Sequence, residues 1–214
     1  MKRNVVLKTL LVGLFGLGLA GVSQAGGDAA AGQAKAAACI ACHGADGNSF
    51  TPMFPKLAGQ GEKYITKQLK DFQSGARSNA IMAPMVIGKS EQDMADLGAY
   101  YASQTVTPSP AKTELATLGE KLYRGGSLEK GIAACTACHG PKAEGVATAG
   151  FPSLQGQWSD YVSVQLKAFR AAGRDDKDGA RRTNDGEARL MRDIAAKMSD
   201  QDIEAVSNFI SGLK

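Results

Sequence analysis

The chain has 214 residues, enough for one domain or two small ones, and only 6% of them are aromatic, so any core is modest and a small domain here needs a metal, disulfide or cofactor to become stable. Its formal charge is +4, but three of its 25 basic residues, Lys2, Arg3 and Lys8, sit in an opening stretch without an acid. The remaining 22 basic and 21 acidic residues nearly cancel, which gives no support to nucleic-acid binding.

The opening residues read as a secretory leader. Lys2 and Arg3 form a basic start, an apolar stretch runs from Leu10 to Ala20, and Ser23-Gln24-Ala25 supplies the small residues of a cleavage site. A membrane anchor is the competing reading. The apolar run is short for a span of about 20 residues, however, and it is rich in glycine. Residues 1–25 are expected to be a signal peptide that sends the chain to the periplasm.

The rest is one unit written twice. Cys39-Ile-Ala-Cys42-His43-Gly44 returns 96 positions later as Cys135-Thr-Ala-Cys138-His139-Gly140. Phe54-Pro55-Lys56-Leu57-Ala58-Gly59-Gln60 returns at an offset of 97 as Phe151-Pro152-Ser153-Leu154-Gln155-Gly156-Gln157. Tyr64, Gln68, Leu69 and Phe72 match Tyr161, Gln165, Leu166 and Phe169. Towards the end the offset grows to 109, so that Ser90-x-x-Asp93 matches Ser199-x-x-Asp202. The second copy therefore carries extra residues near 125–134 and near 173–187. A first domain is expected over 27–104, a second over 114–214, and an extended linker over 105–113, marked by Pro108 and Pro110.

The periodicity is helical throughout, and no segment alternates as a strand does. A short helix is expected over 29–37, ahead of the first cysteine pair, with its counterpart over 115–124. Ile65, Leu69 and Phe72 then make one apolar stripe, and Val162, Leu166 and Phe169 make its equal, with Gly75 and Gly173 as expected C-caps. The last helix of each copy starts after Ser90 or Ser199 and carries Met94, Leu97 and Tyr101, or Ile203, Val206 and Ile210. The expected class is all-α, in two tandem units.

Cys-x-x-Cys-His is the pattern of c-type haem attachment. Two thiols add to the vinyl groups on one edge of the porphyrin, and the histidine that follows can reach the iron from one face. The two motifs use every cysteine and every histidine of the chain. A redox disulfide would normally accompany a βαβ pattern, which is absent. A zinc site would draw on two separated pairs, whereas each trio here is complete within its own repeat. Two covalent haem c groups are expected, at Cys39 and Cys42 and at Cys135 and Cys138, with His43 and His139 on the irons.

The repeat also selects the second axial ligand. Histidine paired with methionine is a common haem ligation that raises the potential. Met53 has no methionine counterpart, Met94 matches Ile203, Met198 matches Lys89, and Met85 matches Ile194. Only Met82 and Met191 correspond at the local offset of 109, and they are assigned as the axial ligands. Met85, in the same Met-Ala-Pro-Met segment, could present its sulfur in place of Met82. Pro55 and Pro152 either accept the free N–H of the ligating histidine or are simple turn prolines. Arg77-Ser78-Asn79 and Arg182-Thr183-Asn184 either bind a propionate or form solvated loops. Trp158 matches Gly61 and has no symmetric role.

These residues resemble the cytochrome c4 family. The likeness spans nearly the whole chain after the leader and includes both haem motifs, both Phe-Pro-x-Leu-x-Gly-Gln segments, Arg182-Thr183-Asn184-Asp185-Gly186 and Ala195-Ala196-Lys197-Met198-Ser199. It implies two class I cytochrome c domains packed about an approximate twofold axis, each with His and Met on its haem. It further implies a periplasmic electron carrier, in some cases loosely attached to the inner membrane, between a quinol-oxidising complex and a terminal oxidase. Two alternatives stay open: a cytochrome subunit that accepts electrons from a partner dehydrogenase, and a haem peroxidase, which needs an iron with an open position.

Overall fold

The computed structural model describes residues 26–213, so the expected signal peptide lies outside the described residues. Ten α-helices follow one another in two runs. The first run is α1 (Ala29–Lys35), α2 (Ala37–His43), α3 (Glu62–Ser74), α4 (Met82–Met85) and α5 (Glu91–Ala102). The second is α6 (Ala116–Gly125), α7 (Thr136–His139), α8 (Ser159–Arg174), α9 (Leu190–Ala195) and α10 (Asp200–Gly212). Among the described residues the only β pairing is two isolated bridges, Ser127 with Ile132 and Val146 with Phe151.

Each run packs around its last helix. In the first, α1 and α3 lie on α5. In the second, α6 and α8 lie on α10, and α9 lies on α8. The stripes read from the sequence are the ones buried: Ile65 and Phe72 with Met94, Leu97 and Tyr101, then Val162, Leu166 and Phe169 with Ile203, Val206 and Ile210. Burying one such side chain stabilises by about 1.5–3 kcal/mol. The two cores stay separate. One gathers Ala36, Ile65, Leu97, Tyr100 and Tyr101, and the other is centred on Leu122, Tyr123, Ile132 and the stripes of α8 and α10.

The crossing of first and last helices is set by glycine. A Cβ on Gly32 of α1 would lie 2.0 Å from the Asp96 carbonyl oxygen, and one on Gly119 of α6 would lie 2.2 Å from that of Ala205. Asp96 and Ala205 are themselves repeat equivalents. Both last helices start with a full capping box, in which Ser90 and Asp93, or Ser199 and Asp202, satisfy each other's backbone N–H. Each box also carries a lysine from the other end of its copy: Lys35 reaches Asp93 at 2.7 Å, and Lys130 reaches Asp202 at 2.7 Å.

Two expectations need correction. The segment ahead of the first motif is not one helix over 29–37, because α1 ends at Lys35 and a second helix, α2, starts at Ala37 and carries the motif. Gly173 is not a C-cap. It lies inside α8, and the left-handed cap falls on Asp175 (φ 59°). Gly173 is there for space instead, since a Cβ would come 2.3 Å from the Arg192 carbonyl oxygen. Gly75 does cap α3, at φ 79°. In the second copy the extra residues after α6 form a tight turn in which Ser127 and Ile132 exchange backbone hydrogen bonds of 2.9 and 2.8 Å, which delivers Ile132 to the core.

The chain between the runs is tied to both. Asn48 holds the Thr105 carbonyl and the Thr107 N–H, each at 2.9 Å. Ser109 is buried and bonds the backbone of Ser211 and Gly156. Asn208 exchanges two 2.6 Å hydrogen bonds with Lys112.

Replacing Gly119 by Ala forces a carbonyl contact and should destabilise by about 1–3 kcal/mol in denaturant titration. Gly125→Ala, at a helix end where an added Cβ meets nothing within 4 Å, is the control and should cost less. A second test uses pH. Burial acts to raise the Asp202 carboxyl, but hydrogen bonds from Lys130 and Ser199 outweigh it and hold the group below the ordinary carboxylate value. A depressed carboxylate contributes stability that is complete above its unfolded pKa of about 3.9 and is lost as pH falls through the folded value. Melting of Asp202→Asn should start lower at pH 7 and fall less steeply than wild type on acidification below about pH 5.

Candidate haem sites

Each site is built on one helical turn. Cys39, Cys42 and His43 lie at positions i, i+3 and i+4 of α2 and so share a face. In the second copy the helix is shorter, with Cys135 as the N-cap of α7 and His139 as its last residue. Both helices end on a glycine with φ of 81°, and a Cβ on Gly44 would lie 2.7 Å from the Asn48 carbonyl oxygen. The four cysteines are half-buried and unbonded to one another. Among the described residues no three His, Cys, Asp or Glu side chains group as a metal-ion site.

The two histidines are each 6% exposed. His43 Nδ1 lies 2.9 Å from the Pro55 carbonyl oxygen, and His139 Nδ1 lies 2.9 Å from that of Pro152. A carbonyl only accepts, so Nδ1 carries the proton and the Nε2 lone pair is free for iron. Burial pushes both imidazoles below their ordinary pKa, against the raising effect of the carbonyls, and favours the neutral ring a metal requires. The prolines are therefore acceptors for the histidines. Their segment is pinned in the same way twice: Leu57 and Ala58 donate to the Gly47 carbonyl, and Leu154 and Gln155 donate to the Ala143 carbonyl.

The methionine segments are also fixed by side-chain caps. Asn79 Oδ1 accepts from the backbone N–H of Ile81 and of Met82, each at 2.9 Å. In the second copy Asp185 accepts from the backbone of Arg192 at 2.9 Å and from its guanidinium at 2.6 Å, next to Met191. Met191 packs half-buried on the same core as Cys135. Met82 is half-buried, whereas Met85 is 37% exposed.

The residues fit a thioether-bound haem. Burial pushes the Cys135 thiol up to about 11 and raises Cys39 as well, so neither sulfur is placed to be a thiolate. A neutral thioether suits that environment. Ile40 inside the first motif and Ile81 and Met85 beside Met82 are exposed apolar surface, of the kind a flat apolar group covers.

Sequence reasoning missed what joins the halves. Arg77 and Arg182 do not form solvated loops. Arg77 donates to Gln68 (2.9 Å), Tyr161 (3.0 Å) and Gln165 (2.8 Å), while Arg182, only 8% exposed, donates to Gln165 (2.8 Å), Tyr64 (3.0 Å) and Gln68 (3.0 Å). Each guanidinium also stacks over a phenylalanine of its own copy, Phe72 at 4.7 Å or Phe169 at 4.5 Å. The result is a twofold latch between copies. The signal available in the sequence was the repetition of Tyr64 and Gln68 as Tyr161 and Gln165, which does not by itself name their partners. Trp158 also acts across the halves, donating to Ser49 Oγ at 2.8 Å.

The protein-family model for Cytochrome c matches residues 29–105 and 116–214. Cytochrome c4 of Pseudomonas aeruginosa is 51% identical, over 84% of this chain and 85% of its own length. A thiosulfate dehydrogenase electron acceptor of Thiomonas intermedia is 39% identical, over 83% of this chain and 79% of its own. The crystal structure of reduced recombinant cytochrome c4 from Pseudomonas stutzeri superposes with a TM-score of 0.82 at 48% identity, covering 88% of this chain and 100% of that one. With two tandem cytochrome c domains and a fitting cysteine pair in each, the chain carries two covalent haem c groups and transfers electrons, and it belongs to the cytochrome c4 family.

Proposed function

We propose that the protein shuttles electrons in the periplasm from a quinol-oxidising complex to a terminal oxidase, with His43 and Met82 on one iron and His139 and Met191 on the other. The observation that carries this reading is the pair of matched histidines, each buried with Nδ1 on a proline carbonyl and Nε2 left for metal. Bound haem c supplies the one-electron iron couple. The chain's own residues supply the rest. The carbonyls of Pro55 and Pro152 fix the tautomer and orientation of the imidazoles. Asn79 and Asp185 hold the segments that bear Met82 and Met191. With His43 and Met82 holding one haem iron and His139 and Met191 the other, neither iron would offer a site to substrate, which favours a carrier over a peroxidase. The leader expected over residues 1–25 supports the periplasm. Among the described residues no helix is long and apolar enough to cross a membrane.

A second reading has a specific observation in its favour: the similarity to a thiosulfate dehydrogenase electron acceptor. On that reading the donor is a partner dehydrogenase and the carrier chemistry is unchanged.

The ligands are tested by substitution. Met191→Ala and Met82→Ala should each remove about half of the weak sulfur-to-iron band of the oxidised protein and create a high-spin fraction with peroxidase-like activity. An intact band in Met82→Ala, with loss in Met85→Ala, would move the first ligand to Met85. The donor is tested by stopped-flow reduction. Purified quinol-oxidising complex should reduce the protein within catalytic turnover, and terminal oxidase should reoxidise it. Fast reduction by a thiosulfate dehydrogenase, with none by the quinol-oxidising complex, would select the second reading.

A further inference from the structure

Two buried glutamines cross between the copies and land on the peptide groups that hold the histidines. The Pro55–Lys56 peptide accepts from His43 through its carbonyl at 2.9 Å. Its N–H, on Lys56, donates to Gln157 Oε1 of the second copy at 2.9 Å. Gln157 Nε2 then closes the pair on the Lys56 carbonyl, also at 2.9 Å. The Pro152–Ser153 peptide repeats this arrangement. Its carbonyl accepts from His139 at 2.9 Å, its N–H donates to Gln60 Oε1 at 2.8 Å, and Gln60 Nε2 returns to the Ser153 carbonyl at 2.8 Å. Both glutamines are 7% exposed.

We infer that each glutamine is a positioning residue for the haem of the opposite domain: Gln157 tunes the iron held by His43, and Gln60 tunes the iron held by His139. The inference rests on the reading of the two histidines as iron ligands. The physical route is polarisation along a hydrogen-bond chain. An acceptor on the peptide N–H draws charge onto the same peptide's carbonyl oxygen, and bonds in such a chain strengthen one another by roughly 10–30%. A stronger carbonyl acceptor takes more of the Nδ1 proton, makes the imidazole a stronger donor to iron, and favours the oxidised state. Docking of the domains thus enters each potential from the other side of the interface. The sites also differ. Trp158 donates to Ser49 Oγ at 2.8 Å, and Ser49 donates to the Phe54 carbonyl at 2.7 Å, one residue before Pro55. The repeat equivalent of Trp158 is Gly61, which has no side chain to do the same for Pro152. The two segments are therefore held differently: the Phe54 carbonyl by Ser49 and Trp158, and the Phe151 carbonyl by the Val146 N–H at 3.1 Å.

The test is a spectroelectrochemical titration of the two-haem protein in which the two potentials are assigned to their domains by haem-methyl NMR. Gln157→Met removes the acceptor at similar volume. It should raise the potential of the first-domain haem and leave that of the second unchanged, and Gln60→Met should do the reverse. Gln157→Glu keeps an acceptor oxygen and should leave the first potential at or below wild type. It also serves if the methionine variant does not fold. Arg77→Gln loosens the same interface without touching either peptide and should move neither potential. A shift in the haem of the substituted domain itself, equal shifts in both haems, no shift, or the same shift in Arg77→Gln would each overturn the inference. Failure of the ligand reading would look different, because low-spin haem would then survive His43→Ala or His139→Ala.

Discussion

The bond from a histidine Nδ1–H to a proline carbonyl is the constraint on which the rest of the structure depends. It fixes which nitrogen carries the proton and which is left free for a metal, and it does so inside a core that leaves the ring 6% exposed. The proline must therefore be delivered to within hydrogen-bond reach from about a dozen residues away in both copies. That delivery is the task of the segment between the motif and the long helix. Its backbone is pinned at Gly47 in one copy and Ala143 in the other, two equivalent positions that both adopt positive φ. The last helices, with their capping boxes and glycine crossings, pack on α1 and α6, and those helices in turn contact the motif helices α2 and α7.

The same segment also faces the other copy. Pro55 and Pro152 turn their carbonyls inward to the histidines, and the next residues turn their N–H groups outward to Gln157 and Gln60. A site and an interface are thus two sides of one peptide group. The arginine latch, with Arg77 and Arg182 each reaching tyrosine and glutamine of the opposite copy, holds that interface along α3 and α8. Polar groups this buried cost free energy unless all are paired, so the latch specifies one relative placement of the domains.

Much of this was legible in the sequence because it was written twice. The cysteines and histidines need fixed spacing for covalent reasons, and the apolar stripes of α3, α5, α8 and α10 follow from periodicity alone. The prolines were half read, since their role needed the fold to bring Pro55 back to His43. What sequence reasoning could not supply was partners across the interface. Gln60, Gln68 and Arg77 repeat as Gln157, Gln165 and Arg182, but repetition does not say whether such residues face solvent, a propionate or each other. Gly173 misled because glycine serves both as a helix cap and as a place for close approach, and only packing against Arg192 separates the two. The break at Ala36 between α1 and α2 leaves no mark in an alanine-rich run.

The central claim is that both iron sites are closed by protein ligands, so that the molecule carries electrons and binds no substrate at iron. A redox-titrated visible spectrum of the purified protein, with haem content per chain, tests it most directly. Two covalent low-spin haems per chain and the weak sulfur-to-iron band in the oxidised state are expected. One haem per chain, or a high-spin fraction in the unmodified protein, would contradict it.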